Sequence, residues 1–340
     1  MNKKQTYTVA KHSFCLILEE SDPLWTQLAH SFGPFEEKEE NKHPLFTVTV
    51  YSEPSNTEQS SNHQQSARES ANESTVSESV SFNELTRESA KEIDQFPSID
   101  QAEPIFMDPN SNPMEGKINV YRTDNSHLFE LIPGSGRKQQ SLLYLSDDLQ
   151  TGELLLHGSN YDRFYGVNTS LMLCFMLATA GLNTVLMHAS AVVHDNKSYL
   201  FLGRSGTGKS THSNLWLQYI SNSELLNDDH PIVRFHPFEG AIAYGSPWSG
   251  KTPCYRNTSA PVGGIVRIKQ APYNQIKLLP LVQAYASLTT SCSGMSWDKT
   301  LADGKSRTLQ EIINSVPCYT LECQPKKEAA ILCSQTIKKD

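Results

Sequence analysis

Apolar and polar positions alternate along the first fifty residues. Residues 6–9 and 14–18 show the two-residue period of a half-buried strand pair, and 45–51 repeat it with β-branched side chains. Between them Asp22 stands where a helix cap belongs, ahead of Trp25, Leu28 and Ala29 on one face. From residue 53 the pattern stops. Residues 53–81 are rich in Ser, Gln and Asn with no apolar period, which predicts a disordered insertion; residues 82–93 place Phe82, Leu85, Ser89 and Ile93 on one face of a short helix. Strands are expected again at 118–121 and 127–132 around a turn at Asp124-Asn125, then at 142–145 and 153–156, an antiparallel β-rich region. The apolar run 171–182 predicts a buried helix starting near Asn168, being too short for a membrane span of about 20 residues. From residue 185 the order becomes strand, glycine loop, helix, strand, with further strands at 241–244 and 262–268.

The expected fold class is therefore α/β (α+β): a small antiparallel β-rich N-terminal domain, then a P-loop domain with a mixed sheet. The domain reading is 1–52 with 113–165, an acidic Ser-rich insertion at 53–112, and a nucleotide-binding domain at 166–340. Composition refines this only slightly. The 340 residues carry a net charge of −8, and residues 53–103, with three bases against eleven acids, account for all of it. The rest is balanced and holds no basic patch motif, so no nucleic acid is expected as a partner, and no membrane. Seven scattered cysteines fit buried reduced thiols better than a disulfide framework. With no apolar signal-peptide core near the start, the expected location is cytoplasmic.

The chemistry concentrates in one stretch. An apolar strand at 198–202 runs into Gly203-Arg204-Ser205-Gly206-Thr207-Gly208-Lys209-Ser210-Thr211, which fits G-x-x-x-x-G-K-[ST]. By composition alone the pattern arises in about one chain in 80 of this length. Its glycines let backbone N–H groups crowd around anionic oxygens, and the helix expected over 211–219 aims its N-terminus at them. Lys209 suits the β and γ phosphates, and the Ser210 hydroxyl suits Mg²⁺.

Downstream, the apolar pair Leu225-Leu226 ends in Asn227-Asp228-Asp229. A strand ending in aspartate is where a P-loop enzyme places its second magnesium contact. Neighbouring strand residues point to opposite sides, so Asp228 and Asp229 should take different roles. Upstream, His188 enters the apolar stretch Met187-His188-Ala189-Ser190-Ala191, at the start of the strand preceding the loop.

In this order and spacing, the His188 stretch, the 203–211 loop and Asp228-Asp229 resemble the catalytic domain of HPr serine kinase/phosphatase. They are also similar to the nucleotide core of ATP-dependent phosphoenolpyruvate carboxykinase. The resemblance runs from about residue 186 to the C-terminus, is densest over 187–229, and lies closest to stand-alone HPr-kinase-like proteins. It implies that Asp228 sits by the loop's Mg²⁺ and acts in the kinases as the acceptor's base. It implies that Asp229 and His188 face each other across the substrate cleft, where the carboxykinases hold a second divalent metal. Those carboxykinases carry paired lysines before the Met-His motif, whereas residues 165–185 here contain no Lys or Arg.

Residues 245–252, with Trp248 and Lys251, are read either as a second loop over phosphates or acceptor, or as a plain Gly-Pro connector. Arg204 and Arg256 are further candidates for phosphate or acceptor contact. Cys318, Cys323 and Cys333 have no histidine at ligand spacing and do not suggest zinc. The expected activity is transfer of the γ-phosphoryl of ATP, with Mg²⁺ (or Mn²⁺) on Ser210, Asp228 and Asp229, to a hydroxyl of a peptide, protein or small molecule. His188, Asp228 and Asp229 are the expected catalytic residues. A carboxykinase-like enzyme and a non-catalytic nucleotide sensor or assembly module are the alternatives.

Overall fold

The computed structural model describes residues 1–38, 43–52, 96–109, 112, 116–134, 140–294 and 297–337. The expected insertion at 53–81 and the helix over 82–93 lie outside these residues. The architecture is mixed α/β with two mixed sheets and, among the described residues, six α-helices.

The chain divides into two compact units: residues 1–4, 16–25 and 46–171, and residues 5–15, 26–45 and 172–340. The first 45 residues are thus shared between units instead of forming one N-terminal block. Polar groups in residues 5–15 find their partners late in the chain: Arg234 donates to the Ala10 carbonyl at 3.1 Å, and the buried His12 ring meets the Thr184 hydroxyl at 2.9 Å.

One of the two sheets has eight strands. They are β1 (Asn2–Val9), β2 (His12–Glu19), β3 (Thr47–Ser52), β4 (Glu103–Phe106), β5 (Lys117–Arg122), β6 (Ser126–Ile132), β7 (Ser141–Ser146) and β8 (Thr151–Leu156), in the order β1-β2-β3-β8-β7-β6-β5-β4. Of these, β3 to β8 fall wholly in the first unit. β5 to β8 form the expected antiparallel meander. β3, however, pairs with β8 in parallel, so the sheet is mixed; no hairpin dictates the direction of strands so distant in sequence. Helix α1 (Leu24–Phe32) follows Asp22, whose carboxylate accepts from the Leu24 N–H at 2.9 Å, as expected. Helix α2 (Asn160–Thr179) begins eight residues before the expected Asn168. Its first residues, 160–163, are largely polar and escape a hydrophobic count. They start at a capping arrangement, in which the Ser159 N–H and hydroxyl both donate to Asp162.

The second unit carries the chemistry. Its strands are β9 (Thr184–Leu186), β10 (Ala189–His194), β11 (Lys197–Leu202), β12 (Ser223–Asn227), β13 (Ile232–His236), β14 (Gly240–Tyr244), β15 (Ser259–Gln270), β16 (Gln275–Leu278) and β17 (Cys318–Cys323). β15 is long enough to serve two sets of partners: its start pairs with β14, and its remainder lies parallel to both β11 and β17. Side chains alternate across this sheet. Leu200, Leu202 and Ile265 pack toward Leu288 of α4 (Leu281–Thr289) and Leu309 and Ile312 of α5 (Lys299–Ser315). Phe201, Val266 and Ile268 pack on the other face, with Trp216 of α3 (Lys209–Tyr219) and Cys333 of α6 (Lys327–Ile337). Burying both faces goes with the apolar stretches Ala191-Val192-Val193 in β10 and Tyr199-Leu200-Phe201-Leu202 in β11. All seven cysteines are buried and unpaired. Among the described residues no helix is long and apolar enough to cross a membrane.

Candidate nucleotide site

Strand direction gathers the candidate residues at one edge of the sheet. β10 runs antiparallel to both β11 and β12, with Ala189 opposite Leu202 and Ala191 opposite Asn227. The start of β10 and the ends of β11 and β12 therefore lie side by side. His188, the 203–208 loop and Asp228-Asp229 share that edge, where the parallel strands of an α/β sheet present their carboxyl ends to ligands. His188 is not inside the strand preceding the loop. It occupies a break between β9 and β10, held by its N–H to the Ser291 carbonyl at 2.7 Å. A two-residue turn at Asp195-Asn196, both with positive φ, inserts β10 ahead of β11.

The loop itself is a tight turn, with the Thr207 N–H and hydroxyl both donating to the Arg204 carbonyl. Gly206 (φ 78°) and Gly208 (φ 102°) occupy the left-handed region, and Gly208 is the N-cap of α3. The helix buries Lys209, His212, Ser213 and Trp216 along one face. Arg204 and Ser205 are exposed, Ser210 is half-buried, and Thr211 is exposed.

Lys209 lies back over its own loop, donating to the Gly203 carbonyl at 3.1 Å, with its Nζ 2.9 Å from His188 Nε2. An ammonium only donates, so His188 Nε2 is the acceptor and the ring is neutral with its proton on Nδ1. The same Nε2 lies 3.5 Å from Asp229 Oδ1. It cannot accept from lysine and donate to the carboxylate at once, and the shorter contact prevails. Burial, followed by the Lys209 charge, lowers the His188 pKa, which agrees with a neutral ring. Burial also lowers the pKa of Lys209, although Asp229 and Asp228 oppose it.

The two aspartates lie in a bend just past β12 instead of on the expected strand, and their carboxyls have different surroundings. Burial raises the pKa of Asp229, but the hydrogen bond from His230 and the basic groups around it, Lys209 among them, outweigh it and hold the carboxyl below the usual range. His230 Nδ1 is 3.2 Å from Asp229 Oδ2, and its ring stacks on His188 at 5.8 Å. Asp228 faces elsewhere. Only 5% exposed, it accepts from Ser190 Oγ through Oδ1 at 2.8 Å, while Oδ2 has no hydrogen-bond partner among the described residues. A buried carboxylate oxygen without a donor is an atom that a cation would satisfy. Ser210, half-buried in the first turn of α3, offers a second oxygen. Among the described residues no three His, Cys, Asp or Glu side chains are grouped to hold a metal; a cation here would depend on Asp228, Ser210 and phosphate oxygens together.

Other sequence candidates take different places. Trp248 is buried, its ring against Phe32 and Phe175, and its carbonyl accepts from Asn227 at 3.2 Å. Arg256 is committed to the Leu225 carbonyl at 2.9 Å and to Glu224 at 2.6 Å. Lys251 is exposed and follows Gly250, at which a Cβ would come within 3.0 Å of the Asp228 carbonyl oxygen and 3.2 Å of the Asp229 Cβ. The 245–252 segment thus packs under the aspartates. Sequence reasoning missed Ser190, Ser213, Asn227 and His230. Asn227, just before the acidic pair, had a signal, since it fits an Asx turn.

No family model matches this chain, and no curated protein matches it. What the fold and site define is a class: a mixed α/β unit presenting a glycine loop, a buried lysine and two differently housed carboxylates at one sheet edge.

Proposed function

We propose that this chain is an ATP-dependent phosphotransferase of the HPr-kinase-like type, moving the γ-phosphoryl of Mg-ATP to a hydroxyl of a peptide, protein or small molecule. The observation that carries the reading is the buried, unpartnered Asp228 Oδ2 at the same sheet edge as a G-x-x-x-x-G-K-[ST] loop opening a helix. The amides of residues 203–208 and Lys209 would bind the phosphates. Ser210 and Asp228 would hold Mg²⁺, or Mn²⁺, which when bound supplies positive charge against the phosphate oxygens. The acceptor oxygen forms a bond to the γ-phosphorus as the bond to the β-phosphate oxygen breaks, and ADP departs with that electron pair. The hydroxyl proton passes to the cluster of Asp229, His188 and His230. Lys209 keeps His188 neutral, so the site begins the step with proton-accepting capacity.

The test is ATP binding and transfer from γ-labelled ATP into a size-fractionated cell extract, for the wild type, Asp228→Ala and His188→Ala. Both variants are expected to lose transfer at least a hundredfold, with ATP binding retained in His188→Ala. Label in macromolecular or small-molecule fractions tells the acceptor class. Unchanged ATP turnover in both variants would overturn the mechanism, whereas a wild type that binds ATP and transfers no label would favour a nucleotide sensor.

A further inference from the structure

We propose that Ser190 and Ser213 are positioning residues that fix the plane in which the Asp228 carboxylate presents its unbonded oxygen to the nucleotide's metal, an inference that rests on the nucleotide reading above. Both serines are fully buried. Ser190 Oγ lies 2.8 Å from Asp228 Oδ1 and 2.6 Å from Ser213 Oγ. An ionised carboxylate only accepts, so the single Ser190 proton points to Asp228. The Ser190–Ser213 bond must then be donated by Ser213. The chain of protons has one direction, from Ser213 through Ser190 to Oδ1.

This direction has a consequence at Asp228. Oδ1 sits where the donor is, and Oδ2 is left buried without one. A half-turn of the carboxyl exchanges chemically equal oxygens, but any smaller rotation breaks the Ser190 bond, so the carboxyl plane is fixed. The anchor of the chain matters as much. Ser213 lies one turn beyond Lys209 on the same buried face of α3, while Ser190 belongs to β10. Two hydrogen bonds thus tie the helix that opens at the phosphate loop to the carboxylate at the end of β12. A pair of serines present only to satisfy each other would contribute to stability and leave metal dependence untouched.

The experiment is calorimetric ATP binding by the full chain with Mg²⁺, with Mn²⁺ and in EDTA, for the wild type, Ser190→Ala and Ser213→Ala. The gain in ATP affinity caused by either metal is expected to fall about tenfold or more in Ser190→Ala, the usual scale for losing a hydrogen-bond partner of a metal ligand, and by less in Ser213→Ala. Affinity in EDTA should stay within about twofold of the wild type, which also reports that the variants fold. Ser213→Ala, one bond further from the carboxylate, keeps the test decisive should Ser190→Ala fail to fold. A metal-dependent gain equal to the wild type in the serine variants overturns the proposal while leaving the nucleotide reading standing. A wild type that binds no ATP under any condition overturns both.

Discussion

Asn227 uses one buried amide in two directions. Its Oδ1 accepts from the Asp229 and His230 N–H groups at 2.9 and 2.8 Å, and its Nδ2 reaches the Ser246 and Trp248 carbonyls at 3.3 and 3.2 Å. The first pair shapes the turn that separates Asp228 from Asp229; the second fastens that turn to the 245–252 segment. Asn227→Ala would leave two backbone N–H groups without their acceptor, at about 1–3 kcal/mol each. The expected result is a clearly lower urea midpoint together with lost ATP turnover. Asn227→Asp keeps the acceptor but turns a charged oxygen toward the Ser246 and Trp248 carbonyls, so it should also lower the midpoint. Equal midpoints in the wild type and Asn227→Ala would show that the turn holds without it.

Among the elements, α2 and α3 show two ways in which a helix hides from an apolar count. α2 opens with a polar turn set by Ser159 and Asp162, and its apolar run enters only afterwards. Ser159→Ala removes the hydroxyl that caps this turn and should cost about 1 kcal/mol. In a thermal melt that is a fall of a few degrees; an unchanged melting temperature would mean that the cap is not holding the helix start. α3 is recognisable only from the loop before it, because three of the four residues on its buried face are Lys209, His212 and Ser213. Strand order is the other lesson at this scale. Residues 188, 203–208 and 228 are brought together by β11 and β12 flanking β10, an arrangement that depends on one Asp195-Asn196 turn.

At the scale of the whole molecule, two buried histidines set an acid limit. Burial lowers the His212 pKa to about 4, and burial with the charges of Arg234 and His236 lowers that of His12 to about 4. In the unfolded chain both bind a proton below about pH 6.5. Between these values the unfolded state holds more protons, so stability falls as the pH drops through 6.5 toward 4. The contribution is on the order of 3 kcal/mol for His212, complete above about pH 6.5 and gone below its folded pKa. Melting temperature measured from pH 7.5 to 4.5 should therefore decline in the lower half of that range. His212→Gln keeps an acceptor for the Trp216 indole, now 3.1 Å from His212 Nε2, and should make the decline shallower. Identical slopes would show that His212 is not part of the acid response.

The sequence alone determined the local chemistry of this protein. Period-two alternation located most strands, Asp22 its helix, and the glycine-lysine pattern the loop and the start of α3, because turns, caps and phosphate loops are written in contiguous residues. The alternation expected of Asp228 and Asp229 on a strand did not apply, because both lie in a bend past the end of β12 that the Asn227 side chain shapes. Only the tertiary structure decided which polar groups meet. The Ser213–Ser190–Asp228 chain, the Lys209–His188 contact and the Asn227 brace join residues far apart in sequence, and their pairing follows from strand order and burial. The commitment of Trp248 and Arg256 to packing and backbone contacts was hidden for the same reason. A residue's type shows what it is able to bond, whereas the fold decides which of its bonds are already taken.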